Sequence, residues 1–102
     1  MASKGIARGD KTDSVSTGHS CDTKTTTNVC STSVFVNGKG VCRLGDDITI
    51  HNRKVGDSCV PHTAKITGSS DSVYVDGIAI ARDTDSADAG NISSGSTNVF
   101  SG

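Results

Sequence analysis

Apolar residues in this chain come in short clusters, set apart by polar stretches that carry Gly, Asn and Asp. Val34-Phe35-Val36 runs directly into Asn37-Gly38, and Val73-Tyr74-Val75 runs directly into Asp76-Gly77. Both dipeptides favour two-residue hairpin turns, because each central residue tolerates a positive φ. A return strand is expected after each turn, leading to Arg43 and to Arg82, so the pattern predicts two β-hairpins. Further strands are expected at Asp47 to His51, where Ile48 and Ile50 alternate with polar residues, and at Ala64 to Thr67 around Ile66. Thr12 to Thr27 and Asp83 to Ser94 have little apolar content and are expected to be loops.

The hairpins belong to an internal repeat. Ser31-Thr32-Ser33-Val34-Phe35-Val36-Asn37-Gly38 recurs as Ser70-Asp71-Ser72-Val73-Tyr74-Val75-Asp76-Gly77, and a shortened copy is Ser96-Thr97-Asn98-Val99-Phe100-Ser101-Gly102. A second element, Val41-Cys42-Arg43-Leu44-Gly45-Asp46, matches Ile80-Ala81-Arg82-Asp83-Thr84-Asp85 and the opening Ile6-Ala7-Arg8-Gly9-Asp10. The Arg-Gly-Asp at 8 to 10 therefore reads as a strand end and turn, with Gly supplying positive φ and Asp capping, and not as an adhesion signal. Three diverged units fill residues 1–102 as a single domain.

Composition agrees with an all-β chain. All 11 acidic residues are Asp, Leu44 is the only Leu, and Val and Ile together number 17. Strong helix formers are nearly missing and β-branched residues abound. With 10 basic residues the formal net charge is −1, which argues against a nucleic-acid partner. No apolar run approaches a membrane span, and Met1 to Asp10 has no apolar stretch of the kind a signal peptide needs. Leu, Ile, Val and Phe total only 20 of 102 residues, so a metal, disulfides or a partner is expected to supplement the core.

His19-Ser20-Cys21 is the most informative local pattern. In an extended segment, positions i and i+2 share a face, so both side chains reach one ion. His51 and His62 would complete a tetrahedral set of three imidazoles and one thiolate, which suits zinc. Cys59 competes with Cys21 for the thiolate position, and any one of these histidines can equally be an exposed or hydrogen-bonded side chain. Four cysteines allow three pairings, but without a secretion signal a reducing cytosol is expected to keep them free. Cys30 and Cys42 border strands and are expected to pack as small hydrophobes. No motif supplies an oxyanion device for a Cys/His nucleophile, so an enzyme is not expected.

With its Ser-x-x-Val-Phe/Tyr-Val-x-Gly hairpins, return strands ending in Arg43 and Arg82, and Gly18-His19-Ser20-Cys21, the chain resembles the PAAR-repeat proteins over nearly its whole length. These form the pointed tip of contractile injection machines. The resemblance implies a small cone of β-hairpins in pseudo-threefold arrangement, one copy seated on a homotrimeric β-helical spike. It also implies zinc near the apex, held by His19, Cys21, His51 and His62, with iron the second choice. The compact form, without an attached toxin domain, looks most like the phage-tail branch. That places it in the virion, at the baseplate tip, touching the host outer membrane only during injection. The alternatives are a type VI secretion tip, a small zinc-stabilised protein-binding module, and a disulfide-stapled extracellular domain. Arg82-Asp83-Thr84-Asp85, where Arg-x-Gly-Asp is expected, and Cys42, where a small Ala is usual, depart from the family pattern.

Overall fold

The computed structural model describes residues 3–102, which contain only β-strands as regular structure. In chain order the first six are β1 (Lys4–Gly5), β2 (Ser14–Ser16), β3 (Lys24–Thr26), β4 (Phe35–Val36), β5 (Lys39–Gly40) and β6 (His51–Val55). Then follow β7 (Ser58–His62), β8 (Tyr74–Val75), β9 (Ile78–Ala79), β10 (Ser86–Ala87), β11 (Gly90–Ile92) and β12 (Phe100–Ser101). The all-β reading holds.

Two expected hairpins form where their turn dipeptides stand. β4 pairs with β5 around Asn37 (φ 54°) and Gly38 (φ 78°), and β8 pairs with β9 around Asp76 (φ 55°) and Gly77 (φ 76°). Left-handed geometry at both central residues matches the twist of the flanking strands. The shortened third copy acquires its return strand from the start of the chain: Lys4 pairs with Ser101 and Gly5 with Phe100. Lys4-Gly5-Ile6 thus stands where Lys39-Gly40-Val41 stands in the first hairpin.

The three return strands meet in a closed ring. Ala7 N donates to Ala81 O (3.1 Å), Ala81 N to Cys42 O (2.9 Å), and Cys42 N to Ala7 O (3.0 Å). Each unit is braced in the same two ways. Ser31 Oγ accepts the amides of Ser33 and Val34, Ser70 Oγ those of Ser72 and Val73, and Ser96 Oγ those of Asn98 and Val99. At the far end of the return strands, Asp13, Asp46 and Asp85 each accept both the backbone amide and the guanidinium of Arg8, Arg43 and Arg82. The partner of Arg8 is therefore Asp13 and not Asp10. Two extra residues put Asp10 (φ 55°) and Lys11 (φ 61°) in the left-handed region, and Gly9 is not there. Thr84 (φ 74°) takes the place of Gly45 (φ 87°), so the departure at 82 to 85 keeps the turn.

Both stretches expected to be loops contain strands. β2 and β3 lie within Thr12 to Thr27, β10 and β11 within Asp83 to Ser94, and together they form one sheet in the order β10-β11-β2-β3. Their apolar signal is a single residue in each of β2, β10 and β11 (Val15, Ala87, Ile92), each fully buried, and none in β3. The longest hairpin, β6–β7, turns at Gly56 (φ 60°) and has an exposed, polar outer half that no alternation announces. Asp47 to Ile50 is not a strand, and His51 opens β6. Ile48 is buried, Ile50 is 59% exposed, and Asp47 and Ile48 make only single bridges to Lys65 and Thr27. Ala64 to Thr67 likewise contributes bridges and no strand.

Small side chains fill the ring. Ala7, Cys42 and Ala81 pack with Val15, Cys30, Ile48, Ile66, Ala87 and Ile92 in one cluster, while Ile6, Val41, Val75 and Ile80 form a second. Cys30 and Cys42 are buried free thiols, as their strand positions predict. The neighbouring Cys30 thiol, and then burial, hold the Cys42 thiol far above its usual range, so it stays protonated.

Polar brackets outweigh surface ion pairs in this fold. Asp13, 1% exposed, accepts from Arg8 and Ser94. Asp13→Ala leaves a largely buried guanidinium unpaired and should cost about 3–5 kcal/mol in urea denaturation. Asp47→Ala, which loses only an exposed contact to Lys65, should cost less than about 1 kcal/mol.

Candidate metal centre

Three separate pieces of chain bring His19, His51, His62 and Asp88 together. His51 and His62 face each other across the first rung of the β6–β7 hairpin. His19 sits on the loop after β2, and its amide donates to the Thr17 hydroxyl (3.1 Å). Asp88 occupies the β10–β11 turn in left-handed conformation (φ 54°), with its amide donating to Lys65 O. Gly18 sets the spacing between the last two. It adopts φ 80°, and a Cβ there would lie 2.5 Å from the Ala89 carbonyl oxygen, so only glycine lets the His19 loop press against the Asp88 turn.

The four side chains converge closely. Asp88 Oδ2 is 2.8 Å from His19 Nε2 and 2.7 Å from His51 Nε2, while Oδ1 is 3.2 Å from His62 Nε2. The ring centroids are 5.1 to 5.5 Å apart. His51 Nδ1 lies 2.9 Å from Thr49 O, which fixes that nitrogen as a donor and leaves Nε2 facing the cluster. Burial opposes the Asp88 charge. Hydrogen bonds from His62, His51 and His19, with the charge of His19, outweigh it and hold the carboxyl below its ordinary range.

This donor set can hold a metal ion. One ligand atom from each of the four residues lies within 4.8 Å of all the others. In a tetrahedral site with bonds near 2.0–2.1 Å, ligand atoms stand about 3.4 Å apart. To reach that spacing the His19 and His51 contacts to Asp88, at 2.8 and 2.7 Å, must open and the wider pairs, up to 4.8 Å, must close. Imidazole nitrogen and carboxylate oxygen are both good ligands for a borderline divalent ion.

The structure brings together three of the four residues expected from the sequence. Cys21 is not at the cluster, because its sulfur is bonded to Cys59. The i, i+2 argument assumed an extended chain at His19 to Cys21, and the backbone bends at Ser20 and Cys21 instead. The disulfide also corrects the expectation of four free thiols. It ties the His19 loop to β7, which ends in His62, across a separation of 38 residues. Beside it, Asp22 accepts the amide (2.7 Å) and side-chain nitrogen (3.0 Å) of Asn52. Asp88, which sequence spacing did not single out, stands 69 positions from His19 and 37 from His51. Its one local mark is an Asp followed by Ala-Gly in a polar tract, which signals a turn and not a ligand.

The sequence matches no protein-family model and no curated protein. Thiol titration in denaturant without reductant should find two reactive groups per chain, Cys30 and Cys42, and four after reduction.

Proposed function

We propose that this protein is the structural tip of a contractile injection machine, a PAAR-type cone that caps a homotrimeric β-helical spike, with zinc bound at His19, His51, His62 and Asp88. The observation that carries this reading is a triad of exposed aromatic residues. Phe35 (58% exposed), Tyr74 (60%) and Phe100 (55%) occupy the same position in three hairpins whose return strands close the Ala7–Cys42–Ala81 ring. A single chain that repeats one apolar contact three times suits a partner with a threefold axis. A small zinc-stabilised module that recognises one peptide has no need of such repetition. The outer carbonyls of the return strands, at Gly40, Ala79 and Gly5, are taken by the amides of Gly9, Leu44 and Asp83, so a β-helix end would continue the outer edges of the Phe35, Tyr74 and Phe100 strands. A phage tail baseplate is the assembly we favour, and a type VI secretion spike is the alternative.

Zinc would join the β6–β7 hairpin to the His19 loop and the Asp88 turn, adding to what the small core contributes. Elemental analysis of protein prepared without chelator should find about one zinc per chain. Asp88→Ala should weaken binding more than Cys21→Ser, and the opposite order would assign the fourth position to a thiolate. Removing the metal should lower stability by about 2.7 kcal/mol when free zinc stands a hundredfold above its dissociation constant.

The partner is tested by mass. Light scattering on a mixture with the trimeric β-helical spike protein encoded alongside it should give three spike chains to one of this chain. A 3:3 assembly or no complex removes the tip reading, whereas the metal result stands independently.

A further inference from the structure

Two of the three hairpins insert their turn residue into a polar pocket on a neighbouring unit. Asp76 Oδ2 accepts Ser31 Oγ (2.7 Å) and Arg43 Nη1 (3.1 Å), and its Oδ1 accepts the Ser33 hydroxyl. Asn37 does the same one unit round: its Oδ1 accepts Arg8 Nη1 (3.2 Å) and Ser96 Oγ (2.8 Å), and its Nδ2 donates to Asn98 Oδ1 (3.0 Å). By the repeat alignment the third pocket consists of Arg82, Ser70 and Ser72. The residue aligned with Asn37 and Asp76 is Gly102, which has no side chain to offer.

The donors of this third pocket are in place. Arg82 gives Nε and Nη2 to Asp85, and Nη2 also to Ser69 O (3.2 Å). Its Nη1, the atom that holds the turn residue in the other two copies, meets no acceptor among the described residues. Ser70 is 2% exposed, and its hydroxyl oxygen accepts the amides of Ser72 and Val73 (3.1 Å each). Its proton goes to no acceptor among the described residues. The Ser72 hydroxyl, aligned with that of Ser33, is exposed.

We propose that Arg82, Ser70 and Ser72 form a binding site for a carboxylate group from outside the chain, the acidic side chain of a protein partner being the class that carries one. The choice of carboxylate over amide follows from the residue at the second serine position. Where an amide is bound, that position is Asn98, whose carbonyl accepts the amide N–H. Where a carboxylate is bound, it is Ser33, a donor, and the third pocket has Ser72. Three donors converging on a planar acceptor select an anion. The occupied copy shows the preference: hydrogen bonds from Ser33 and Ser31, and the charge of Arg43, hold the Asp76 carboxyl below its ordinary range. Two other charges face the third pocket. Asp71 bears on the Arg82 charge without forming an ion pair with it, and Lys4 lies 4.0 Å from Asp85 Oδ1.

The test is an NMR titration of the full chain with sodium acetate against sodium chloride at equal ionic strength. Saturable shifts are expected at Ser70, Ser72 and the Arg82 side chain, without matching shifts at Ser31, Ser33 and Arg43. Ser72→Ala should weaken acetate roughly tenfold, the worth of one hydrogen bond to a charged group, and Asp71→Asn should tighten it. Gly102→Asp supplies the missing turn carboxylate within the chain. It should raise the melting temperature and abolish the acetate response. Non-saturable shifts, equal shifts at the Ser31 pocket, or a Gly102→Asp variant that responds to acetate as before would overturn the proposal. None of these outcomes depends on the spike complex.

Discussion

The fold depends on three backbone hydrogen bonds that close on themselves. Ala7, Cys42 and Ala81 each donate to one neighbour and accept from the other, so no member of the ring leaves a polar group for solvent to satisfy. The tightness of the ring limits what can stand in it. Its three members have small side chains, and the core around them consists of Val, Ile, Ala and Cys with no aromatic residue. The low apolar content of the chain is therefore a consequence of the geometry. Bulky residues have nowhere to go except outward, and the aromatic residues of the three hairpins are all exposed.

Polar brackets replace the core that is missing. The Arg–Asp pairs at 8 and 13, 43 and 46, and 82 and 85 join a strand end to its following turn through three bonds each, in positions only partly open to water. Charge-assisted, forked geometry makes such pairs stronger than isolated surface contacts. The serine brackets at 31, 70 and 96 start each hairpin in the same way. Every buried side-chain nitrogen or oxygen among the described residues has at least one hydrogen-bond partner.

What the sequence discloses depends on whether a signal is local. The hairpins at Asn37-Gly38 and Asp76-Gly77 are legible because a two-residue turn is written in adjacent residues. The repeat exposes the third hairpin, yet the pairing of its strand with Lys4–Gly5 joins opposite ends of the chain. The sheet of β2, β3, β10 and β11 is invisible to periodicity, because strands of two or three residues have room for one inward side chain. At the candidate site the histidines stand out as the only three in the chain. Asp88 is one Asp among 11, and its selection is made by the turn that carries it. Cys21 misleads, because a bend at that point aims it at Cys59 rather than at the histidines.

The pairing of β1 with β12 also governs how the molecule comes apart. The ring bond between Ala7 and Ala81, the sheet contact of β2 with β11 and the first-to-last hairpin all link residues far apart along the chain. None of them can form until most of the loop entropy between the ends has been lost. Such a topology slows folding, because the distant contacts must be brought together before they stabilise anything. With its first and last strands paired to each other, neither end of the chain can peel away without breaking that pairing.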